Sequence, residues 1–134
     1  MAAENKILDY IQLINSANIG PVTFYKLLRQ YGSAEAALAA LPAGRRTFSR
    51  SAAQKEFELA RRQNTRLLAF DDPEYPENLR AAEDAPPVIY VRGQINCLRQ
   101  PLSLSIVGAR NASLNGRKLA SQISCELISQ GIMI

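Results

Sequence analysis

Residues 103–116 read SLSIVGARNASLNG, and this stretch decides how the second half of the chain is interpreted. A short apolar run leads into Gly108, and after a polar loop the helical spacing of Leu119, Ile123 and Leu127 begins. That order is typical of a β-strand followed by a loop and a helix. In open α/β sheets such loops lie at the carboxyl ends of the strands, where ligands bind.

The loop within this stretch has residue types that suit phosphate. Gly108 removes a Cβ from the path of a ligand, and Arg110 supplies a forked, permanently charged donor. Ser113 can cap the next helix, whose N-terminus offers free N–H groups, and Gly116 keeps its first turn open. The glycine spacing fits neither GxGxxG nor GxxxxGK[ST]. The loop therefore predicts a phosphate site, with a structural turn as the alternative, in which Arg110 pairs with an acid of residues 71–84.

Two strands are predicted upstream of this loop. TRLLAF (65–70) is a short apolar run, and PPVIYVRG (86–93) is rich in β-branched and aromatic residues. The proline-containing segment DDPEYPENLR (71–80) separates them, and IMI (132–134) would begin another strand after the last helix. This order of elements predicts an α/β fold with a parallel sheet and crossover helices.

The N-terminal region predicts two helices joined by a tight turn, NIG at residues 18–20. Apolar residues recur with helical spacing on both sides of the turn, at Ile7, Leu8, Ile11 and Ile14, and at Phe24, Leu27, Leu28 and Tyr31. Pro21 suits the first turn of the second helix, and Gly32 suits its end. Ser33 is expected to cap a third, alanine-rich helix.

Helix, tight turn and helix resemble the helix-hairpin-helix motif, in which the backbone N–H groups of the turn bind a DNA phosphate. The alternative is a purely structural helical hairpin. No lysine or arginine lies nearer to the turn along the chain than Lys26, and this weakens the DNA interpretation.

The net charge of +4 is unevenly distributed. Residues 44–66 hold two acids and the basic residues Arg45, Arg46, Arg50, Lys55, Arg61, Arg62 and Arg66. Within this segment, Ser51 is expected to cap a helix that runs to about Asn64. A basic segment favours polyanions such as nucleic acid, but it is also typical of a solvated helix face. Both interpretations stay open for this segment.

Several function classes are excluded by composition. The chain has no histidine, which removes Ser-His-Asp and Cys-His catalysis and most metal sites. Cys97 and Cys125 form no CxxC pair, so we expect reduced, partly buried thiols. No apolar run reaches the roughly 18–20 residues of a membrane span, and the N-terminus lacks the signal-peptide pattern. We therefore expect a cytoplasmic protein without membrane contact, metal or cofactor.

The motifs of residues 66–134, taken in order, resemble the DNA-processing protein A (DprA/Smf) family. The residues that carry the resemblance are Tyr75, Pro76 and Leu79, then Pro86, Pro87, Tyr90 and Gly93, then Ile106 to Gly116. The helical start resembles the family's small leading domain, which is sterile-alpha-motif-like or helix-hairpin-helix-like. The expected domains are a helical domain at 1–43, a basic linker and helix at 44–65, and part of a Rossmann-like DNA-binding domain at 66–134.

The resemblance implies a protein that is not an enzyme. Members of the family bind single-stranded DNA during natural transformation, protect it, and help to load the RecA recombinase in DNA recombination. Carried over by motif position, the DNA pocket would comprise Gly108, Ala109, Arg110, Ser113 and Gly116, with Arg117 and Lys118 as accessory basic residues. The full-length family member is expected to self-associate as a dimer.

This sequence departs from the family pattern at three places. Ala109 replaces a serine or threonine, and Asn115 replaces an aromatic residue. The family pattern continues beyond Ile134, so we expect the chain to represent the N-terminal portion, with a truncated sheet.

Two other functions stay open from the sequence. A Rossmann-like nucleotide hydrolase of the lysine-decarboxylase-like group has a similar phosphate loop, but its later GGxGTxxE-like segment is absent here. The N-terminal hairpin could also act by itself as a module that binds DNA or another protein.

Overall fold

A computed structural model describes residues 2–100 and 102–134. The chain divides into two compact units, one ending at Gly93 and the other beginning at Gln94. The elements of the N-terminal unit are α1 (Ala2–Ile14), α2 (Pro21–Tyr31), α3 (Ala34–Ala39), α4 (Arg50–Arg62), β1 (Thr65–Ala69), α5 (Glu77–Arg80) and β2 (Val88–Arg92). The C-terminal unit contains a 3₁₀-helix (Ile95–Arg99) and α6 (Leu114–Ser129). The domain limits expected at 43/44 and 65/66 stay a prediction.

Helices α1 and α2 form the predicted hairpin. Leu8 and Ile11 are buried on the inner face of α1, as their spacing predicts. Phe24 of α2 is fully buried and packs edge-to-face on Tyr10, with ring centroids 5.0 Å apart. Tyr31, which was expected on the apolar face of α2, is exposed. It is the last residue of the helix, so that prediction is wrong at this position.

The turn between these helices uses residues that tolerate left-handed backbone. Asn18 has φ 60°, a conformation that asparagine adopts more readily than most residues. Ile19 is buried in the cluster that also contains Leu13 and Phe24, so the turn is anchored by its own apolar residue. Gly32 ends α2 with φ 80°, as predicted.

Serine side chains cap α3 and α4. The hydroxyl of Ser33 accepts a hydrogen bond from the Ala36 N–H at 3.1 Å, as predicted. For α4 the predicted cap, Ser51, is wrong. The cap is Ser49, which has extended backbone and accepts from the Ala52 N–H at 3.1 Å, whereas Ser51 already lies within the helix.

Strands β1 and β2 form an antiparallel pair, with Leu67 opposite Tyr90. The α/β class with a short sheet is confirmed, but this pair differs from the predicted parallel arrangement. A parallel pair needs a crossover, usually a helix that packs on the sheet, whereas the connection at residues 70–87 contains only the four-residue α5. The Phe70 N–H donates to the Pro87 carbonyl at 2.8 Å, and the Tyr75 hydroxyl donates to the Pro86 carbonyl at 2.8 Å.

The C-terminal unit has little sheet. Ser103 and Met133 form one parallel bridge, in which the Leu104 N–H donates to the Met133 carbonyl at 2.8 Å. The predicted strands at 103–108 and 132–134 are therefore reduced to this bridge. Cys97 and Cys125 are free and exposed, so the expectation of partly buried thiols is wrong.

Candidate functional site

The loop of residues 104–113 connects the bridge to α6. Ser113 is the N-cap of α6, and its hydroxyl oxygen accepts from the Gly116 N–H at 3.1 Å. Because that oxygen is used as an acceptor, the hydroxyl hydrogen is left to donate to another group. In the described part of the chain, the N–H groups of Leu114 and Asn115 have no hydrogen-bond partner. The first turn of α6 therefore presents several donors to solvent.

Gly108 is not required by the fold of the unit. A Cβ built on it meets no other atom within 4 Å, and its φ lies outside the left-handed region. By contrast, a Cβ on Gly116 would lie 3.4 Å from the Ser113 Oγ and 3.9 Å from the Ala112 Cβ, an ordinary contact distance. Glycine at 108 thus leaves open space beside the loop, consistent with close approach of a ligand backbone.

Arg110 is exposed on the same loop, as is Ala109. The C-terminal unit has a single acidic residue, Glu126, and no ion pair joins it to Arg110 among the described side chains. The guanidinium is consequently available to a ligand rather than held by a carboxylate of its own unit.

Arg117 and Lys118 lie near the start of α6, and the first turn of this helix contains no acid. Positive side chains near a helix N-terminus are unfavourable, because the macrodipole places positive partial charge there. A bound anion would offset this repulsion and would accept from the free N–H groups. The loop and the helix start therefore form a positively charged surface that suits phosphate.

Some basic residues of segment 44–66 are engaged in contacts within the protein and are not free to bind a ligand. Arg50 forms an ion pair with Asp9, and Arg66 forms one with Glu74. Hydrogen bonding to Glu74 raises the pKa of the Arg66 guanidinium. Arg61 lies over the ring of Phe57, with 5.9 Å from its Cζ to the ring centroid. Part of the basic cluster thus stabilises the N-terminal unit.

A feature that the sequence did not reveal is the position of residues 44–48. The Ala17 N–H donates to the Arg46 carbonyl at 3.0 Å, and the Phe48 N–H donates to the Ser16 Oγ at 3.0 Å. These bonds hold Arg46 against the turn between α1 and α2, although along the chain the turn has no nearby basic residue. The apolar Phe48 in an otherwise polar linker was the signal that could have indicated this docking.

Neither a metal site nor a membrane span is apparent in the described ranges. Residues 2–100 and 102–134 contain no group of three metal-ligating side chains. None of the helices in these ranges is both long and apolar enough to cross a bilayer.

Comparison with protein families assigns both parts of the chain. Residues 66–134, more than half of the chain, match the family model described as DNA recombination-mediator protein A. Residues 4–66 match the model described as the DprA-like N-terminal HHH domain. No curated protein matches the chain. The resemblance inferred from the motifs and from the helical hairpin is confirmed.

Proposed function

This chain belongs to the DNA recombination-mediator protein A family, and from that premise we propose that the loop preceding α6 binds the backbone of single-stranded DNA. Family membership supports a role in DNA processing for recombination and transformation. The observation that carries the proposal is the unpaired Arg110 beside a helix start with free N–H groups and no acid. Phosphate oxygens accept hydrogen bonds from both kinds of donor.

Each proposed pocket residue has a separate task. Arg110 contacts a phosphate, and the absence of a Cβ at Gly108 lets the nucleic-acid backbone approach the loop. Ser113 orients the first turn of α6 and donates its hydroxyl hydrogen. Gly116 supplies the N–H that fixes the Ser113 rotamer. Ala109 contributes its backbone N–H alone, since it has no hydroxyl.

Arg117 and Lys118 act as accessory cations. Both are exposed on α6 close to its N-terminus. Their charges add to the local positive potential and accelerate encounter with DNA, while they contribute no base specificity. We therefore expect binding that depends on strand length and salt rather than on sequence.

The proposed biochemical role is binding rather than catalysis. We propose that the protein protects the bound strand in the cytoplasm and helps to load RecA recombinase onto it, with self-association as a dimer. The support is family membership, together with exposed apolar side chains on the C-terminal unit, such as Leu119 and Ile128, that suit a protein partner. A Rossmann-like architecture for this unit is part of the same proposal.

The test is fluorescence anisotropy of a labelled oligo-dT with the wild type and with Arg110→Gln. Removing one phosphate contact should weaken binding and lower the salt slope by about 0.7, the value for a single strand. Arg92→Gln is the matched control, because Arg92 is an exposed arginine of the other unit with no ion pair among the described side chains. Equal affinities for wild type and Arg110→Gln would refute the assignment of Arg110.

RecA loading is tested by a separate measurement, the lag before RecA filaments form. We expect the wild type to shorten the lag before RecA filaments form on an oligonucleotide coated with single-strand-binding protein. Arg110→Gln should restore the lag, since it removes the DNA contact. An unchanged lag with the wild type would count against mediator activity, even where DNA binding is observed.

A further inference from the structure

The segment of residues 44–48, called here the docked segment, has no regular secondary structure, yet several contacts fix it. The Ser16 side chain is 4% exposed, donates to the Gln12 carbonyl at 2.8 Å and accepts from the Phe48 N–H at 3.0 Å. The Phe48 ring packs on the cluster that contains Leu8 and Ile11. The backbone that carries the two arginines of the docked segment is therefore held at both its middle and its end.

Arg45 and Arg46 project from this fixed backbone. Arg46 is exposed and Arg45 is half-buried. The Arg46 carbonyl accepts from Ala17, which places the docked segment beside the α1–α2 turn. A cation on a fixed backbone loses less conformational entropy on binding than one on a free linker.

The charges of the docked segment have no local compensation. The sequence contains no acid between residues 36 and 55, and none between residues 10 and 34, which include the turn. Among the described ion pairs, none involves Arg45 or Arg46. The chain thus concentrates two unpaired positive charges at one place on the N-terminal unit.

Two exposed cations of α4, Lys55 and Arg62, differ from Arg45 and Arg46 because an acid lies close to them in the sequence. Lys55 and Arg62 lie three residues before and four residues after Glu58 on the same helix. At these spacings side chains on a helix surface are neighbours, so an acid lies beside each of these two cations. Glu58 accepts a hydrogen bond from Gln54 and forms no ion pair with either cation among the described side chains. Lys55 and Arg62 are therefore typical of a solvated helix face, whereas Arg45 and Arg46 are not.

We propose that Arg45 and Arg46 form a second phosphate-contacting surface for single-stranded DNA, located on the N-terminal unit. The inference rests on the proposed function, since it names the same partner for a different surface. The contact is to phosphate rather than to bases, so it adds affinity without adding sequence preference. The hydrogen bond of Phe48 to Ser16 and the packing of its ring on the core hold the two cations in place before DNA binds.

The experiment compares two double variants of the full chain by anisotropy with labelled oligo-dT between 50 and 200 mM salt. Arg45→Gln with Arg46→Gln removes two proposed phosphate contacts and should lower the salt slope by about 1.4. Over that salt range the wild type should then lose about sevenfold more affinity than this variant. Lys55→Gln with Arg62→Gln removes the same charge and should keep the wild-type slope.

The outcomes separate this inference from the proposed function. Equal slopes for the two double variants would overturn the inference, and the function would stand if the wild type still bound DNA. A weakened Arg45/Arg46 variant beside an unaffected Arg110→Gln would support the inference and refute the assignment of Arg110. If the wild type binds no oligo-dT, both proposals are refuted. Circular dichroism of each variant is the control that checks whether the fold is retained.

Discussion

The two units of this chain differ in how far they bury the apolar residues of their helices. In the N-terminal unit Leu13 and Phe24 are 0% exposed, whereas none of the described residues of the C-terminal unit is buried. Leu119 on α6 is 57% exposed and Val107 is 89% exposed. Yet both units show helical spacing, serine caps and terminal glycines. The comparison shows that periodicity specifies a helix, while burial requires an element that faces it.

The units also differ in how they use charge. The N-terminal unit pairs several of its cations, as Lys6 of α1 with Asp71 after β1, and leaves Arg45 and Arg46 of the docked segment unpaired among the described side chains. In the C-terminal unit, Arg110 and its neighbours have no carboxylate partner among the described side chains. Paired charges stabilise a fold modestly, whereas unpaired exposed charges are available to a polyanion. The unpaired cations of the C-terminal loop and of the docked segment are therefore the ones available to a polyanion.

The largest expected effect comes from deleting one core side chain. Leu13→Ala should destabilise the N-terminal unit by about 2–5 kcal/mol, through lost burial and a residual cavity. Leu119→Ala is the matched control and should change stability by less than about 0.5 kcal/mol, because the side chain is exposed. Urea denaturation followed by circular dichroism measures both. Similar losses of stability for the two variants would contradict the difference in side-chain burial between the two units.

A buried hydroxyl gives the next largest effect. Ser16→Ala should cost about 1–3 kcal/mol, because it leaves the Phe48 N–H without its acceptor. Ser51→Ala is the control, since Ser51 is exposed and its hydroxyl contacts only the Ser49 hydroxyl among the described groups. Thermal denaturation of both variants tests whether Ser16 holds the docked segment. A loss no greater than that of Ser51→Ala would contradict the docking.

Alkaline pH should lower the free energy of unfolding of the N-terminal unit selectively. Burial, aided by Asp71, raises the pKa of Tyr10 to about 12, and burial raises the pKa of Tyr25 and Tyr75 as well. A tyrosine near its usual pKa of about 10 in the unfolded chain releases its proton first, so the unfolded state is favoured as pH rises. Stability is fully present below pH 10 and is lost between about pH 10 and 12 for Tyr10, by about 1.4 kcal/mol per pH unit.

The measurement for this prediction is the unfolding free energy at several pH values from 8 to 12. Tyr10→Phe is the control, because it removes the titrating hydroxyl and should flatten the decline. The C-terminal unit contains no tyrosine, so its amide exchange should follow the ordinary base-catalysed rate over the same range. A decline of equal steepness in Tyr10→Phe would contradict the assignment to Tyr10.

The smallest expected effect is at the cap of α6. Ser113→Ala should destabilise the start of this helix by about 1 kcal/mol, since the Gly116 N–H loses its acceptor. Faster amide hydrogen exchange in the first turn of α6 would show this destabilisation. Ser121→Ala, on the exposed surface of the same helix, should leave that exchange unchanged. Equal exchange in both variants would mean that the cap does not organise the loop.

Local features of the fold were predictable from the sequence because they depend on neighbouring residues. The spacing in α1, the cap at Ser33, the left-handed Asn18 and the end of α2 at Gly32 follow from backbone preferences and hydrogen bonds within a few residues. The α4 cap was misplaced because Ser49 and Ser51 are equally good candidates locally. Packing of Phe48 against the core selects where the helix begins.

The candidate site was predictable in part for the same reason. Gly108, Arg110, Ser113 and Gly116 are close in sequence, and Ser113 caps α6 as expected. Whether the loop binds phosphate stays a prediction. The docking of Arg46 on the α1–α2 turn was not predictable, because its hydrogen bond joins residues 29 positions apart. Nothing in local preference specifies such a pairing.

The sequence by itself determined the longer helices, the caps at Ser33 and Ser113, the positions of β1 and β2 and the family to which the chain belongs. These depend on periodicity, on backbone preferences and on motifs read in order. Tertiary structure alone decided that β1 and β2 run antiparallel, that Arg50 and Arg66 are paired, and that the docked segment lies at the turn. Each of these brings together distant residues, and the gain from such contacts depends on how the whole unit packs rather than on any single residue.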